Sequence, residues 1–264
     1  MKFYTNIEQA GNRILVRGYE NGGRVQYRVN YNPSLFVLAN KQTDHKSLDG
    51  RFLKEVRPGS INDCRQFINQ YEGVEGFEIH GNTRYLYQYI NEAYPDDEIR
   101  FDSSLIRTFT LDIETGAENG FPDIESADQE ILLISLRDSF TNRITVWGSK
   151  SFQNEDRQVD YIHCNDETKL LSCFLKWWQE NTPDVITGWN VQLFDMPYIC
   201  RRMDRVLGED HTKLLSPWKL ISSREIFIKG RKQIAYDIPG IATLDYLELY
   251  KKFTYTNQES YRLE

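Results

Sequence analysis

Only four cysteines occur in the 264 residues, at Cys64, Cys164, Cys173 and Cys200, and only four histidines. The cysteines form no Cys-x-x-Cys pair and no histidine stands at ligand spacing from them, so neither a zinc site nor a disulfide framework is expected, and a reducing compartment is the natural setting. No run of roughly 18 apolar residues appears, which leaves no candidate for a spanning helix. The opening Met1-Lys2-Phe3-Tyr4 lacks the apolar core of a secretory leader. Basic residues are outnumbered, with 32 Lys and Arg against 39 Asp and Glu for a net charge of −7. A protein that coats duplex by general phosphate neutralisation would be more basic. Any contact with nucleic acid must therefore be confined to a local groove.

Against these absences stand 40% hydrophobic, 27% charged and 13% aromatic residues, which are globular proportions. At roughly 150 residues per domain, the length suits one large domain or two ordinary ones. Charge is unevenly spread: residues 201–232 hold nine bases and four acids, so the rest of the chain is strongly acidic. Such a segment is either a phosphate-facing surface or an ordinary solvated face.

Two patterns follow one another. In the first hundred residues, Arg13-Ile14-Leu15-Val16-Arg17 and the alternation of Val25, Tyr27, Val29 and Tyr31 flank Asn21-Gly22-Gly23, a hairpin signature with a type I′ turn. A strand over 34–38 and a helix over 61–71 behind Ser60 complete a small α+β domain, with Tyr94-Pro95-Asp96-Asp97-Glu98 as linker and a boundary placed after residue 103. From residue 104 to 264, strands are expected over 106–113, 131–136 and 143–147. Asn165 and Asp166 cap a helix with an apolar face of Leu170, Leu171, Phe174, Leu175 and Trp178. Residues 184–189 return as a strand, and Pro197 suits the first turn of a helix reaching about Leu207. The expected fold is α/β with a mixed sheet in the order βββαβα, that of an RNase H-like sheet.

Asp112 and Glu114 are two residues apart on the first of these strands and so share a face, roughly 7 Å apart along the chain. Two carboxylates there repel unless they are exposed or share a divalent cation, for which Mg²⁺ and Mn²⁺ are the oxygen-loving choices. Asp195 opens a helix and reads by itself as an N-cap. If the strand before it pairs parallel to the Asp112 strand, all three carboxylates meet at adjacent strand ends, an arrangement able to hold two metals about 4 Å apart for phosphodiester displacement.

Asp112-Ile113-Glu114, followed by Gly120-Phe121-Pro122, resembles the first exonuclease motif of family B DNA polymerases, and Asn190-x-x-x-Phe194-Asp195 resembles the second. Thr187-Gly188-Trp189-Asn190, Ser223-Arg224-Glu225-Ile226, Leu244-Asp245-Tyr246 and Tyr250-Lys251-Lys252-Phe253 are similar to the replicative polymerases of tailed, myovirus-type bacteriophages, as is Pro33-Ser34-Leu35-Phe36 near the start. The resemblance implies an N-terminal domain followed by a proofreading 3′→5′ exonuclease domain that uses two divalent ions, Mg²⁺ or Mn²⁺. It gives Asp112 the bridging position, Glu114 the nucleophile-side metal and Asp195 the other metal. Phe121 is similar to the aromatic that wedges against terminal bases, which suits sequence-tolerant stacking, and Asn190 and Phe194 resemble residues that line the terminal nucleotide. The alternative for each of these three is packing or loop anchoring. Residues 224–234, with Lys229-Gly230-Arg231-Lys232 as the turn, resemble the hairpin that parts primer from template.

The family's third motif, Tyr-x-x-x-Asp, has no match after Asp195. Tyr255-Thr256-Asn257-Gln258-Glu259 is a near miss within a segment that resembles the family's sequence upstream of that motif. With Arg262-Leu263-Glu264 as its last residues, the chain is expected to be an N-terminal fragment whose exonuclease activity is impaired by a missing carboxylate. The expected partners are single-stranded DNA or a frayed primer 3′ end and the remaining polymerase domains, with RNA a further candidate at the N-terminal domain. No membrane is involved, a monomer is the default, and the setting is the host bacterial cytoplasm. Two competing readings are a non-catalytic single-strand-binding module and a carboxylate-pair glycosidase, which divalent-metal dependence would separate from the nuclease.

Overall fold

The computed structural model describes residues 1–95, 99–118, 120–228, 230–254, 258, 260 and 261. Asp96, Asp97 and Glu98 of the expected linker, Lys229 of the expected hairpin turn, Tyr255, Thr256, Asn257 and Glu259 of the near-miss motif, and Arg262-Leu263-Glu264 lie outside the described residues. The chain forms two compact units, Met1–Phe101 and Asp102–Glu264. Among the described residues no helix is long and apolar enough to cross a membrane.

In the first unit, β1 (Lys2–Ala10), β2 (Arg13–Glu20) and β3 (Gly23–Asn30) make an antiparallel sheet in chain order. Asn21 and Gly22 turn the β2–β3 hairpin with φ of 52° and 81°, the left-handed pair that a type I′ turn needs. A second sheet, ordered β5-β6-β4-β7, comprises β4 (Leu35–Leu38), β5 (His45–Lys46), β6 (Phe52–Val56) and β7 (Ile79–His80). Helix α1 (Ile61–Tyr71) starts with a reciprocal capping box between Ser60 and Asp63, and α2 is Tyr85–Ala93. Ile14, Val16, Leu35, Ile61, Cys64 and Tyr85 are the buried centre.

The second unit is built on a mixed six-stranded sheet. Its elements are β8 (Thr108–Thr115), β9 (Ile131–Asp138), β10 (Ile144–Gly148), β11 (Val159–His163), α3 (Glu167–Asn181), β12 (Val185–Gly188), α4 (Asp195–Val206), α5 (Glu209–Thr212), β13 (Ser222–Ile228), β14 (Arg231–Asp237), β15 (Ala242–Asp245) and α6 (Tyr246–Phe253). The sheet order is β11-β10-β9-β8-β12-β15, with β9 antiparallel to both of its neighbours and β12 parallel to β8 and β15. Phe109, Leu111 and Ile113 alternate into the core, where they meet Leu170, Phe174 and Trp178 of α3 and Met196, Ile199 and Met203 of α4. Asp166 caps α3 by accepting from Lys169 N–H at 2.7 Å, and the Trp178 indole N–H donates to Leu215 O at 2.8 Å.

Two features depart from the sequence expectation. A strand, β11, stands between β10 and α3, so the order along the chain is four strands before the helix rather than three. It lies on the sheet's edge and has no fully buried residue, so Val159-Asp160-Tyr161-Ile162-His163 lacks the apolar run that marks a central strand. Asp195 is also not an N-cap: Phe194 occupies that position without a side-chain cap, and Asp195 is the first helical residue with its carboxylate turned elsewhere.

Gly188 is required by packing rather than by torsion. A Cβ at this position would lie 2.5 Å from Leu111 O and 3.0 Å from Val191 Cβ, inside the β8–β12 seam. Gly188→Ala is expected to destabilise the chain by about 1–3 kcal/mol through overpacking. Gly116→Ala, whose nearest neighbour would be an ordinary 3.8 Å away, should stay within about 0.5 kcal/mol of the unaltered chain. Urea midpoints of the two variants check this.

Candidate active site

Strand alternation turns Leu111 and Ile113 inward and leaves Asp112 and Glu114 together on the exposed face of β8, with an irregularity in the β8–β9 ladder at Glu114 and Thr115. Strand β12 runs parallel beside β8, and a tight loop, residues 189–194, leads from its end into α4. The sheet's chain order reverses between β8 and β12, and crevices outside the carboxyl ends of strands at such a reversal are where open α/β sheets bind ligands.

Asp195 is 3% exposed, and its Oδ1 accepts from Ile113 N–H at 3.1 Å, which brings it alongside Asp112. Burial first, and then the charge of Asp112, push its pKa up to about 7. Partial desolvation also raises Asp112. Among the described residues neither carboxylate has an ion-pair partner. Two neighbouring hard oxygen donors suit Mg²⁺ or Mn²⁺ by donor chemistry. Glu114 shares their strand face, but among the described residues no three ligating side chains converge into a metal cage.

The three expected substrate-facing residues share one wall. Phe121 is 85% exposed, its ring lies 5.5 Å from that of Phe194, and Phe194 in turn stacks on Tyr198 at 5.8 Å. Phe121, Asn190 and Phe194 line a cleft of about 490 Å³ with Lys232 and Gln233 of β14. The carboxylates lie outside that lining, although Asp195 directly follows Phe194.

Asn190 adopts φ of +65°, and the residue that holds it there is one to which sequence reasoning gave no role. Asp245, 4% exposed, accepts from Asn190 N–H at 3.1 Å, from Gln192 N–H at 2.9 Å and from Leu247 N–H at 2.9 Å, so one carboxylate caps α6 and pins the loop before α4. An aspartate just ahead of the amphipathic stretch Tyr246, Leu249, Tyr250 and Phe253 was the available signal, and it predicts only the cap. The Trp189 indole N–H donates to Tyr261 O at 2.8 Å.

Strands β13 and β14 form the expected hairpin, with Gly230 at φ +78°, but Arg231 and Lys232, expected in the turn, are the first residues of β14 and continue its ladder with β13. Among the described residues, four of the bases in 201–232 are ion-paired. Lys232 pairs with Glu225 at 2.8 Å, Arg224 with Asp237 at 3.1 Å, Lys213 with Asp210 at 2.9 Å, and Arg202 is a buried partner of Glu167.

Residues 83–264 match the family model for the exonuclease domain of DNA polymerase family B, a match that reaches back into the first unit. The chain is 31% identical over its whole length to the DNA-directed DNA polymerase of Escherichia phage RB69, and likewise to that of Enterobacteria phage T4. In both cases it covers 32% of the relative, so it spans about a third of the length of these curated proteins. A DNA polymerase of Archaeoglobus fulgidus is 24% identical over 64% of this chain and 22% of its own length.

The buried Asp195 carboxyl makes stability depend on pH in a definite direction. Its folded pKa of about 7 lies above the usual 3.8, so ionisation costs more in the fold than in the unfolded chain. The metal-free protein should therefore lose stability as pH rises from about 4 through about 7 and level off above. Asp195→Asn removes that titration. In chelator, its stability relative to the unaltered chain should be higher at pH 8 than at pH 5 by on the order of 2–3 kcal/mol, since about two pH units separate pH 5 from the folded value of about 7. Urea melts of both proteins at the two pH values measure it.

Proposed function

Since the chain belongs to DNA polymerase family B through its exonuclease domain, we propose that its second unit is a divalent-metal-dependent 3′→5′ exonuclease module that removes nucleotides from single-stranded or frayed DNA 3′ ends. The observation that carries this reading is the approach of the buried, unpaired Asp195 to Asp112 at the point where the sheet's chain order reverses, beside an aromatic-lined cleft. In this reading residues 1–103 are the N-terminal α+β domain and 104–264 the RNase H-like exonuclease domain. The sheet supports the latter: taking β8, β9, β10, β12 and β15 as first to fifth, the spatial order is third, second, first, fourth, fifth, with only the second strand antiparallel and β11 added at the edge.

Asp112, Glu114 and Asp195 would hold the ions, which when bound supply charge neutralisation at the phosphate and an activated water. Phe121 and Phe194 offer ring faces on which unpaired terminal bases stack without regard to sequence. Asn190, whose backbone N–H is held by Asp245, lines the cleft together with Lys232, which is paired to Glu225. Its partners in this reading are a single-stranded or frayed DNA 3′ end and further polymerase domains in the host cell.

Digestion of a 5′-labelled single-stranded oligonucleotide in Mg²⁺ or Mn²⁺ tests this. A ladder that shortens from the 3′ end, requires the metal and falls to the protein-free level in Asp112→Ala is expected. A ladder of equal strength in Asp112→Ala, or one that survives chelator, would sink the assignment. Binding of the oligonucleotide without any ladder would leave a single-strand-binding module.

A further inference from the structure

The described residues of 116–130, the loop between β8 and β9, carry Phe121; apolar contact at its tip comes from buried Pro122 and from the Phe121 ring against Phe194, and further along from Ala127, which is buried, and Ile124, partly buried against the core. What fixes the loop is a row of donors on α4. The Tyr198 hydroxyl donates to Gln129 O at 2.7 Å, Arg202 Nη1 donates to Ala127 O at 2.9 Å and Asp128 O at 3.2 Å, and Arg205 Nη1 donates to Ser126 O at 3.1 Å. Positions 198, 202 and 205 fall at i, i+4 and i+7, one face of the helix. Gln129 completes the link by donating from Nε2 to Gly120 O at 3.1 Å, the carbonyl immediately before Phe121.

Each part is itself held. Glu167, the first residue of α3, grips Arg202 through two bonds of 2.6 and 2.7 Å and also accepts from Ile131 N–H at 2.8 Å, where the loop re-enters the sheet. Ala127 sits at φ +40°, a conformation unfavourable for a residue with a Cβ, and the Arg202 bond to its carbonyl helps retain it there. A buried Arg–Glu pair contributes little net stability compared with apolar residues of the same volume, so its value here is geometric.

We propose that Tyr198, Arg202 and Arg205 are positioning residues through which α4 sets the Phe121 loop at a fixed offset from Asp195, and that this offset determines how readily a paired 3′ end is opened. This rests on the nuclease reading above. The same helix carries Asp195 at its first position and stacks Tyr198 on Phe194, so the stacking ring and the carboxylate share one rigid support. A single strand needs only to be bound. Free bases can settle on Phe121 wherever the loop stands, whereas a paired terminus must in addition have its last bases unstacked and held against Phe121 at a fixed place.

The test combines Tyr198→Phe, which removes a single hydroxyl, with Gln129→Ala, and takes Phe121→Ala as reference. Amide hydrogen exchange over residues 117–128 should quicken by about tenfold in the double variant, as the loss of one to two hydrogen bonds implies, while β8 and α3 keep their protection. With 2-aminopurine at the 3′ terminus and Ca²⁺ as the divalent ion, the fluorescence rise from a paired primer–template should fall to the Phe121→Ala level, with affinity for a single strand near that of the unaltered chain. Unchanged loop exchange overturns the proposal. So does a loosened loop with the paired-end signal intact. An unaltered chain silent toward both DNAs would overturn the nuclease reading and the specificity claim with it, whereas a response that the variants leave intact overturns the positioning role alone.

Discussion

The parallel seam between β8 and β12 is the contact on which the second unit depends. Its pairs run from Val185 and Thr108 to Thr187 and Thr110, and it closes because Gly188 has no side chain to strike Leu111 O. Once β12 lies there, the loop at its end must pass over the end of β8, and α4 begins where Asp195 meets the Ile113 amide. The remaining tertiary arrangement follows from that helix. Its apolar residues Met196, Ile199 and Met203 close the core, and its polar flank holds the loop between β8 and β9.

Comparison among the buried acids separates support from chemistry. Glu167 is satisfied by Arg202 and a backbone amide, Asp138 by both ends of the Arg107 guanidinium, and Asp245 by three backbone N–H groups. Asp195 has one such cross-strand bond and a second carboxylate for a neighbour. Burying a charge with so little compensation costs several kcal/mol, which the proposed ion-holding role of Asp195 would account for.

Much of this was legible in the residues because it is local. Asn21-Gly22 dictates its turn, Ser60 and Asp166 announce their helices, and the alternation around Asp112 and Glu114 places both on one face. The resemblance singled out Phe121, Asn190 and Phe194, which line a common cleft. What escaped is long-range. Strand β11 has half-exposed edge chemistry, and β15 is four residues long and, among the described residues, is paired through β12 alone. The roles of Asp245 and Arg202 rest on bonds spanning 55 and 75 residues, and no periodicity encodes a partner that far away. Asp195 as a cap was the reasonable local reading, overridden because tertiary contact with β8 outweighs a single end bond.

The dependence of the 189–194 loop on Asp245 also bears on the order in which the protein assembles during synthesis. A ribosome delivers β8, β12 and α4 well before residues 242–245, yet Asn190 and Gln192 receive their acceptor only when that last strand arrives. Local elements form early because closing distant contacts costs chain entropy, and domains emerge from the amino end first. A nascent chain thus has its core laid down while the amide donors of the cleft still face water, and the wall that would grip a terminal nucleotide sets only as β15 docks. On the proposed reading, recognition is therefore a late-maturing property of this fold, acquired after the body that supports it.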